Sequence, residues 1–206
     1  MQRMQKLAAA FVALCLIACT QPASAQESPS ARYRGLRMLD IPFANGPITL
    51  HHVPSVWLKL KGNTPRRFGM DTGSTGIVVA AEHFVPGASD ISEGPGRLVY
   101  NSSGRILNGE RWITDVVIQR DEHTPLATAR VQVLRVTHIT CLEHARDCRP
   151  ERDPRGVAFM GVGFGRNGAQ GTEAGTPRNP FTSLVSLSSG APASTCLLYT
   201  SPSPRD

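Results

Sequence analysis

The chain has 206 residues, with 22 Lys and Arg against 16 Asp and Glu, a formal net charge of +6, and only 6% aromatic residues. Its basic residues (Arg66, Arg67, Arg97, Arg105, Arg111, Arg146, Arg149, Arg152, Arg155) are scattered and no aromatic stacking platform accompanies them. That argues against a nucleic-acid partner and for a solvated surface. Frequent Gly (19) and Pro (16), with no long helical period, point to an all-β chain with many turns.

Residues 1–25 have the three-part layout of a bacterial-type secretory signal: Arg3 and Lys6, an apolar run from Leu7 to Ala18, then small residues. The apolar run is shorter than the about 20 residues a transmembrane helix needs. Two processing readings compete. Ala23-Ser24-Ala25 before Gln26 satisfies the A-x-A rule, with Pro22 breaking the preceding run, and favours cleavage after Ala25. Leu16-Ile17-Ala18-Cys19 resembles a lipobox instead, which would leave a lipid anchor on Cys19. Either route predicts an exported protein, periplasmic or extracellular. Residues 26–45 read as a flexible, polar lead-in, although the pattern turns strand-like from Ile41.

Within residues 46–166 the first expected strands are Ile48–Leu50 and Val56–Leu60, the second ending at the turn signal Lys61-Gly62-Asn63. A hairpin partner over Phe68–Met70 then delivers Asp71 to a strand end. Asp71-Thr72-Gly73-Ser74 sits between two apolar runs, the second being Ile77-Val78-Val79. Gly73 is expected to allow a tight turn and to let main-chain N–H groups reach the carboxylate. Thr72 and Ser74 are expected to hydrogen-bond locally and stiffen the loop. A simple Asp-Thr-Gly hairpin turn without chemistry is the bland alternative.

With its flanking strands and trailing Ser74-Thr75-Gly76, this loop resembles the active-site loop of pepsin-like aspartic proteases. The resemblance implies an acid-protease-type β-barrel lobe with a flap hairpin, one half of a bilobal protein, and Asp71 as a catalytic carboxylate. It implies no cofactor and no metal, and a peptide or protein as substrate.

Glu82–Gly96 reads as a looser stretch, broken by Pro86, Gly87, Gly94 and Pro95. Arg97 to Gly109 then reads as a hairpin with a Ser/Gly-rich tip. By the resemblance it is the flap, with Tyr100 at its base and Ser102, Ser103 and Gly104 at its tip; Asn101-Ser102-Ser103-Gly104 looks slightly longer than the family's form. A plain surface hairpin whose tyrosine packs on the core is the alternative. Glu110–Ile118 continues as a strand in which Trp112 is core or cleft wall and Asp115 a strand or turn residue without a catalytic context. Leu126–Val136 supplies another strand, and His123, His138 and His144 fall on polar loops.

Cys141 and Cys148 are an even pair outside the leader and the C-terminal tail, so a disulfide is favoured in an exported chain. The spacing of His138, Cys141, His144 and Cys148 leaves a zinc site as the alternative. Val157 to Gly165 contains two apolar residues followed by Gly161. In the family resembled, such an element threads beside the active-site loop, where glycine is needed because two backbones nearly touch. A glycine-rich nucleotide loop over Gly161-x-Gly163-x-Gly165 lacks a following helix signal.

Residues 167–195 read as a link out of the lobe, with a helical turn after Asn179-Pro180. Residues 196–206 resemble a translated sequencing adapter; a natural Ser/Pro-rich tail is the alternative. The sequence contains one Asp-Thr-Gly and no Asp-Ser-Gly, whereas the implied mechanism needs two aspartates. The second is expected from a further lobe in cis or from a homodimer mate; a peptide- or envelope-binding module without catalysis is the remaining alternative.

Overall fold

In the computed structural model, residues 37–47, 49, 51–163, 178–190 and 196–199 are described. The leader with Cys19, Ile48, Leu50, Gly165, residues 166–177 and residues 191–195 lie outside them. Among the described residues every regular element but one short 3-10 turn, Ala81–His83, is a β-strand.

The strands follow from alternation and from what covers each face. In β2 (Ser55–Leu60), Val56, Leu58 and Leu60 are buried and their neighbours are not, the period of a strand with one face on a core. The Leu60 carbonyl accepts from the Asn63 N–H at 3.0 Å to close the turn. β3 (Arg66–Asp71) returns antiparallel, with Phe68 opposite Val56. β4 (Thr75–Ala80) is buried almost throughout, which is why it reads as an unbroken apolar run rather than an alternating one.

β5 (Ile91–Tyr100) and β6 (Arg105–Gln119) form a long hairpin, and β7 (Pro125–Cys141) pairs antiparallel with β6 along its whole length. β8 (Ala158–Val162) then inserts between β3 and β4, parallel to the first and antiparallel to the second. Pairing runs β6–β2–β3–β8–β4–β7 and returns to β6, so these strands close a ring within a mixed sheet. β5 extends the sheet beside β6, and β9 (Leu184–Leu187) extends it beside β7. β1 (Arg37–Asp40) and β10 (Cys196–Tyr199) pair in parallel as a separate two-stranded sheet.

The larger core cluster fills the ring with Val56, Leu58, Phe68, Ile77, Val79, Val116, Val131, Val133 and Met160. A second cluster, Val78, Leu107, Leu134, Val136, Ile139 and Val157, lies against Tyr100 and Phe159. The ring therefore fixes β3, β4 and β8 from both sides, and the loop joining β3 to β4 inherits that rigidity.

Several expectations are corrected. The lead-in is not uniformly loose, since it carries β1 and the buried Ile41. Thr49 makes only an isolated bridge to His52 instead of lying in a strand. The stretch read as loose to Gly96 is already β5 from Ile91; β5 lies at the end of the sheet order, where Pro95 leaves no ladder partner unsatisfied on its free side. β7 runs well past Val136, which puts His138 on a strand and not on a loop, though exposed. The turn after Asn179 exists, with the Phe181 N–H donating to Asn179 Oδ1 at 2.9 Å. The residues that follow it, expected to leave the lobe, join its sheet as β9.

Candidate active site

Asp71 is the last residue of β3, paired with Gly161 of β8, and its side chain turns back over the loop that follows. Its Oδ1 accepts from the Gly73 N–H at 2.7 Å and its Oδ2 from the Ser74 hydroxyl at 2.6 Å. Both oxygens are thus held by donors within three residues, which fixes the carboxylate in one orientation. The glycine is required for a reason other than the expected turn. Gly73 has no positive φ; a Cβ there would lie 2.8 Å from Asp71 Oδ1 and block the main-chain N–H from reaching it. Of the two hydroxyl residues, Ser74 is buried and bonded, whereas Thr72 is exposed and its side chain makes no hydrogen bond among the described residues.

The floor beneath the loop is β8. A Cβ on Gly161 would fall 2.6 Å from Ser74 C and from Thr75 N, and one on Gly163 would fall 2.8 Å from the Thr72 carbonyl oxygen. The Gly163 N–H donates to the Ser74 carbonyl at 2.9 Å, tying the two backbones together. The close approach expected of this glycine-bearing strand is present.

Over the loop stands the β5–β6 hairpin. Tyr100 ends β5, opposite Arg105, and its ring packs on Phe159 of β8 with centroids 6.4 Å apart. Burial raises the Tyr100 phenol above its ordinary value, and the Asp71 charge acts in the same direction while Ser74 and Arg105 act against it. The hydroxyl is buried near Asp71 and Ser74 yet makes no hydrogen bond of proper geometry. The tyrosine therefore both packs on the core and presents a polar tip toward the carboxylate.

Between hairpin and loop lies a cavity of about 300 Å³ lined by Asp71, Tyr100, Ser103 and Arg105, with Val53, Met70, Leu107, Val157 and Phe159 as apolar walls. One carboxylate in a largely apolar recess, anchored at both oxygens, suits proton transfer at a bound substrate. Of the hairpin tip, Ser103 reaches this cavity; Ser102 lines a different hollow, shared by Ser103, Gly104 and the loop after Cys141. The apolar walls were not legible as a site, because Phe159, Val157 and Leu107 also read as ordinary core.

Cys141 and Cys148 are bonded, with Cα atoms 5.8 Å apart, so both thiols are used and the zinc alternative falls. The loop they close meets the hairpin tip: the Leu142 N–H donates to the Gly104 carbonyl at 2.8 Å. Asp115 lies on β6 away from this cavity and pairs with Arg130 at 2.9 Å. Trp112 packs against the larger core cluster and donates to Glu110 at 3.3 Å. His123 and His144 are exposed in turns. Compared with known proteins, the chain matches no family model and no curated sequence.

Proposed function

We propose that this chain forms one lobe of an exported aspartic endopeptidase, cleaving peptide bonds with a water activated between Asp71 and a second aspartate. The observation that carries the reading is the Asp71 carboxylate, gripped by the Gly73 N–H and the Ser74 hydroxyl at the end of β3 and lining a recess with Tyr100. In this reading the lobe is of the acid-protease type, the β5–β6 hairpin is its flap, and β8 is the strand that threads beside the active-site loop.

Two close carboxylates cannot both ionise, so the pair holds one proton. The ionised member takes a proton from water as it attacks the peptide carbonyl, and the protonated member donates to the carbonyl oxygen. The leaving amine is then protonated and the shared proton restored. Ser74 and Gly73 keep Asp71 from rotating during these transfers, and the flap excludes bulk water and positions the peptide. No second carboxylate lines the Asp71 cavity among the described residues. It comes from a second lobe of the same polypeptide or from a second copy of this chain, docking where Thr72 and Gly73 are exposed. Export fits the Cys141–Cys148 disulfide, which persists in oxidising compartments. Cys19 is the point of lipid attachment if the lipobox is used.

The test compares two peptides by calorimetry, a statine-type inhibitor and its parent lacking the statine hydroxyl. An enzyme binds the transition-state mimic at least about 100-fold tighter than the parent, and Asp71→Asn removes most of that difference. Equal binding of the two peptides, unchanged by Asp71→Asn, fits a peptide-binding module that does not cleave and contradicts the proposal.

A further inference from the structure

The hairpin that carries Tyr100 does not end free in solvent. Its tip runs under the loop that Cys141 and Cys148 close. Asn101, Ser102 and Ser103 are exposed at the tip, but Gly104 is buried. A Cβ on Gly104 would collide with the Ala145 Cβ and lie 3.8 Å from the Leu142 Cβ, so the loop covers this glycine directly. The Leu142 N–H donates to the Gly104 carbonyl at 2.8 Å, and the Ala145 N–H donates to the Leu142 carbonyl at 3.0 Å, which folds the loop back over the tip.

The same strands carry the site. Tyr100 lies opposite Arg105 and Arg105 opposite Cys141, so the half-cystine is two strands away from the tyrosine that lines the recess over Asp71. Ser103 lines that recess and also the hollow between tip and loop. Beyond the loop, Ile139 and Glu151 exchange main-chain bonds of 2.7 and 3.0 Å, and Glu151 pairs with Arg105 at 3.4 Å. An ion pair this exposed holds little by itself. Residues 142–150 form no strand, so the disulfide is the one covalent tie that keeps Ala145 over Gly104. Both cysteines are partly exposed, and Asp147 and Arg149 beside Cys148 are exposed. Accessible disulfides are the ones that reductants open.

We propose that this loop is a thiol-controlled latch on the hairpin. With the disulfide closed, Ala145 and Leu142 hold the tip down and the hairpin covers the recess over Asp71. A dithiol, small or carried on a protein, opens it: one thiolate attacks a protein sulfur, breaks the S–S bond and forms a mixed disulfide, which the second thiol then displaces. The chain gains two electrons and two protons as the Cys141 and Cys148 thiols, and the dithiol leaves as a disulfide. The tip is then free to lift. The latch rests on the contacts between loop and hairpin; its effect on cleavage rests on the endopeptidase reading above.

The test follows hydrogen exchange of the full chain by mass spectrometry, oxidised and in dithiothreitol, with the Cys141 and Cys148 thiols counted by alkylation. Reduction is expected to quicken exchange over residues 98–107 by at least about fivefold. The buried centre of β7 at Val131 and Val133 keeps its protection, and reoxidation restores the slow tip. Cys141→Ser/Cys148→Ser exchanges fast at the tip with or without the reductant. Gly104→Ala displaces Ala145 while the disulfide stays closed, so its tip is fast before reduction and changes little after it. In the assembly that holds both aspartates, the reduced form loses at least about threefold in kcat/KM for a peptide, because the hairpin no longer positions it. Quickening confined to 141–148 with the tip unchanged, or a disulfide that stays closed in dithiothreitol, overturns the latch and leaves the endopeptidase standing. A tip that responds to reduction without cleavage in either state keeps the latch and removes the endopeptidase. Cleavage indifferent to reduction while the tip loosens overturns the control of the recess.

Discussion

Replacing Gly161 by alanine tests whether β8 is what holds the Asp71 loop in place. The added Cβ would stand 2.6 Å from Ser74 C, 2.6 Å from Thr75 N and 2.7 Å from Ser74 Oγ. Carbon contacts are comfortable at about 3.5–4.0 Å, so the shortfall is close to an ångström. Two of the three obstructing atoms are main chain within a closed ring, and the third is the hydroxyl that grips Asp71. No flexible side-chain end can yield. Overpacking of this kind costs typically 1–3 kcal/mol, and the main-chain clash puts Gly161→Ala at about 3 kcal/mol, or roughly 6–12 °C in Tm for a domain of this size. Urea and thermal unfolding of the full chain measure it. Gly156→Ala is the control: a Cβ there meets nothing within 4 Å, and its effect is expected within about 0.5 kcal/mol. If Gly161→Ala unfolds at the same urea concentration as the parent, β8 does not press on the loop and the account of the site's rigidity fails.

Tyr100→Phe removes a buried hydroxyl that has no hydrogen-bond partner, so unfolding near neutral pH is expected within about 1 kcal/mol of the parent, on the stabilising side if anything. Because burial raises the Tyr100 phenol, the folded state holds its proton more tightly than the unfolded chain does. The contribution is complete below about pH 10 and is lost as pH rises through the higher folded value. The parent should therefore lose more stability than Tyr100→Phe as pH rises above about 10; parallel curves would contradict the shift. Cys141→Ser/Cys148→Ser opens a loop closed over a sequence separation of 7, which chain entropy values at about 2.5 kcal/mol. Hydrogen exchange at Leu142, whose N–H donates to Gly104, should quicken with it, and unchanged protection there would separate the hairpin tip from the disulfide loop.

The parts legible in the sequence are those where local chemistry and tertiary role coincide. The hairpin of β2 and β3, the strand pair around Asp71 and the Ser/Gly tip after Tyr100 are marked by alternation, apolar runs and turn residues that tertiary packing does not override. The pairing of Cys141 with Cys148 followed from there being two candidates. The C-terminal boundary of β7 was hidden, because the polar His138 looks like a loop residue and becomes strand only by pairing with β6. The start of β5 was hidden by Gly94 and Pro95, which an edge strand tolerates. β9 carries little signal of its own and exists because β7 offers it an edge.

The central claim is that Asp71 is one of two aspartates that cut a peptide bond. The direct measurement is cleavage of a denatured protein substrate across the acidic range, by the assembly that contains both aspartates (two lobes of one polypeptide or a dimer of this chain) and by its Asp71→Asn variant, with product termini identified by mass spectrometry. The account predicts acid-favoured cleavage that Asp71→Asn lowers by at least about 1,000-fold, while its unfolding midpoint stays close to the parent's. Equal cleavage by the two proteins would contradict it.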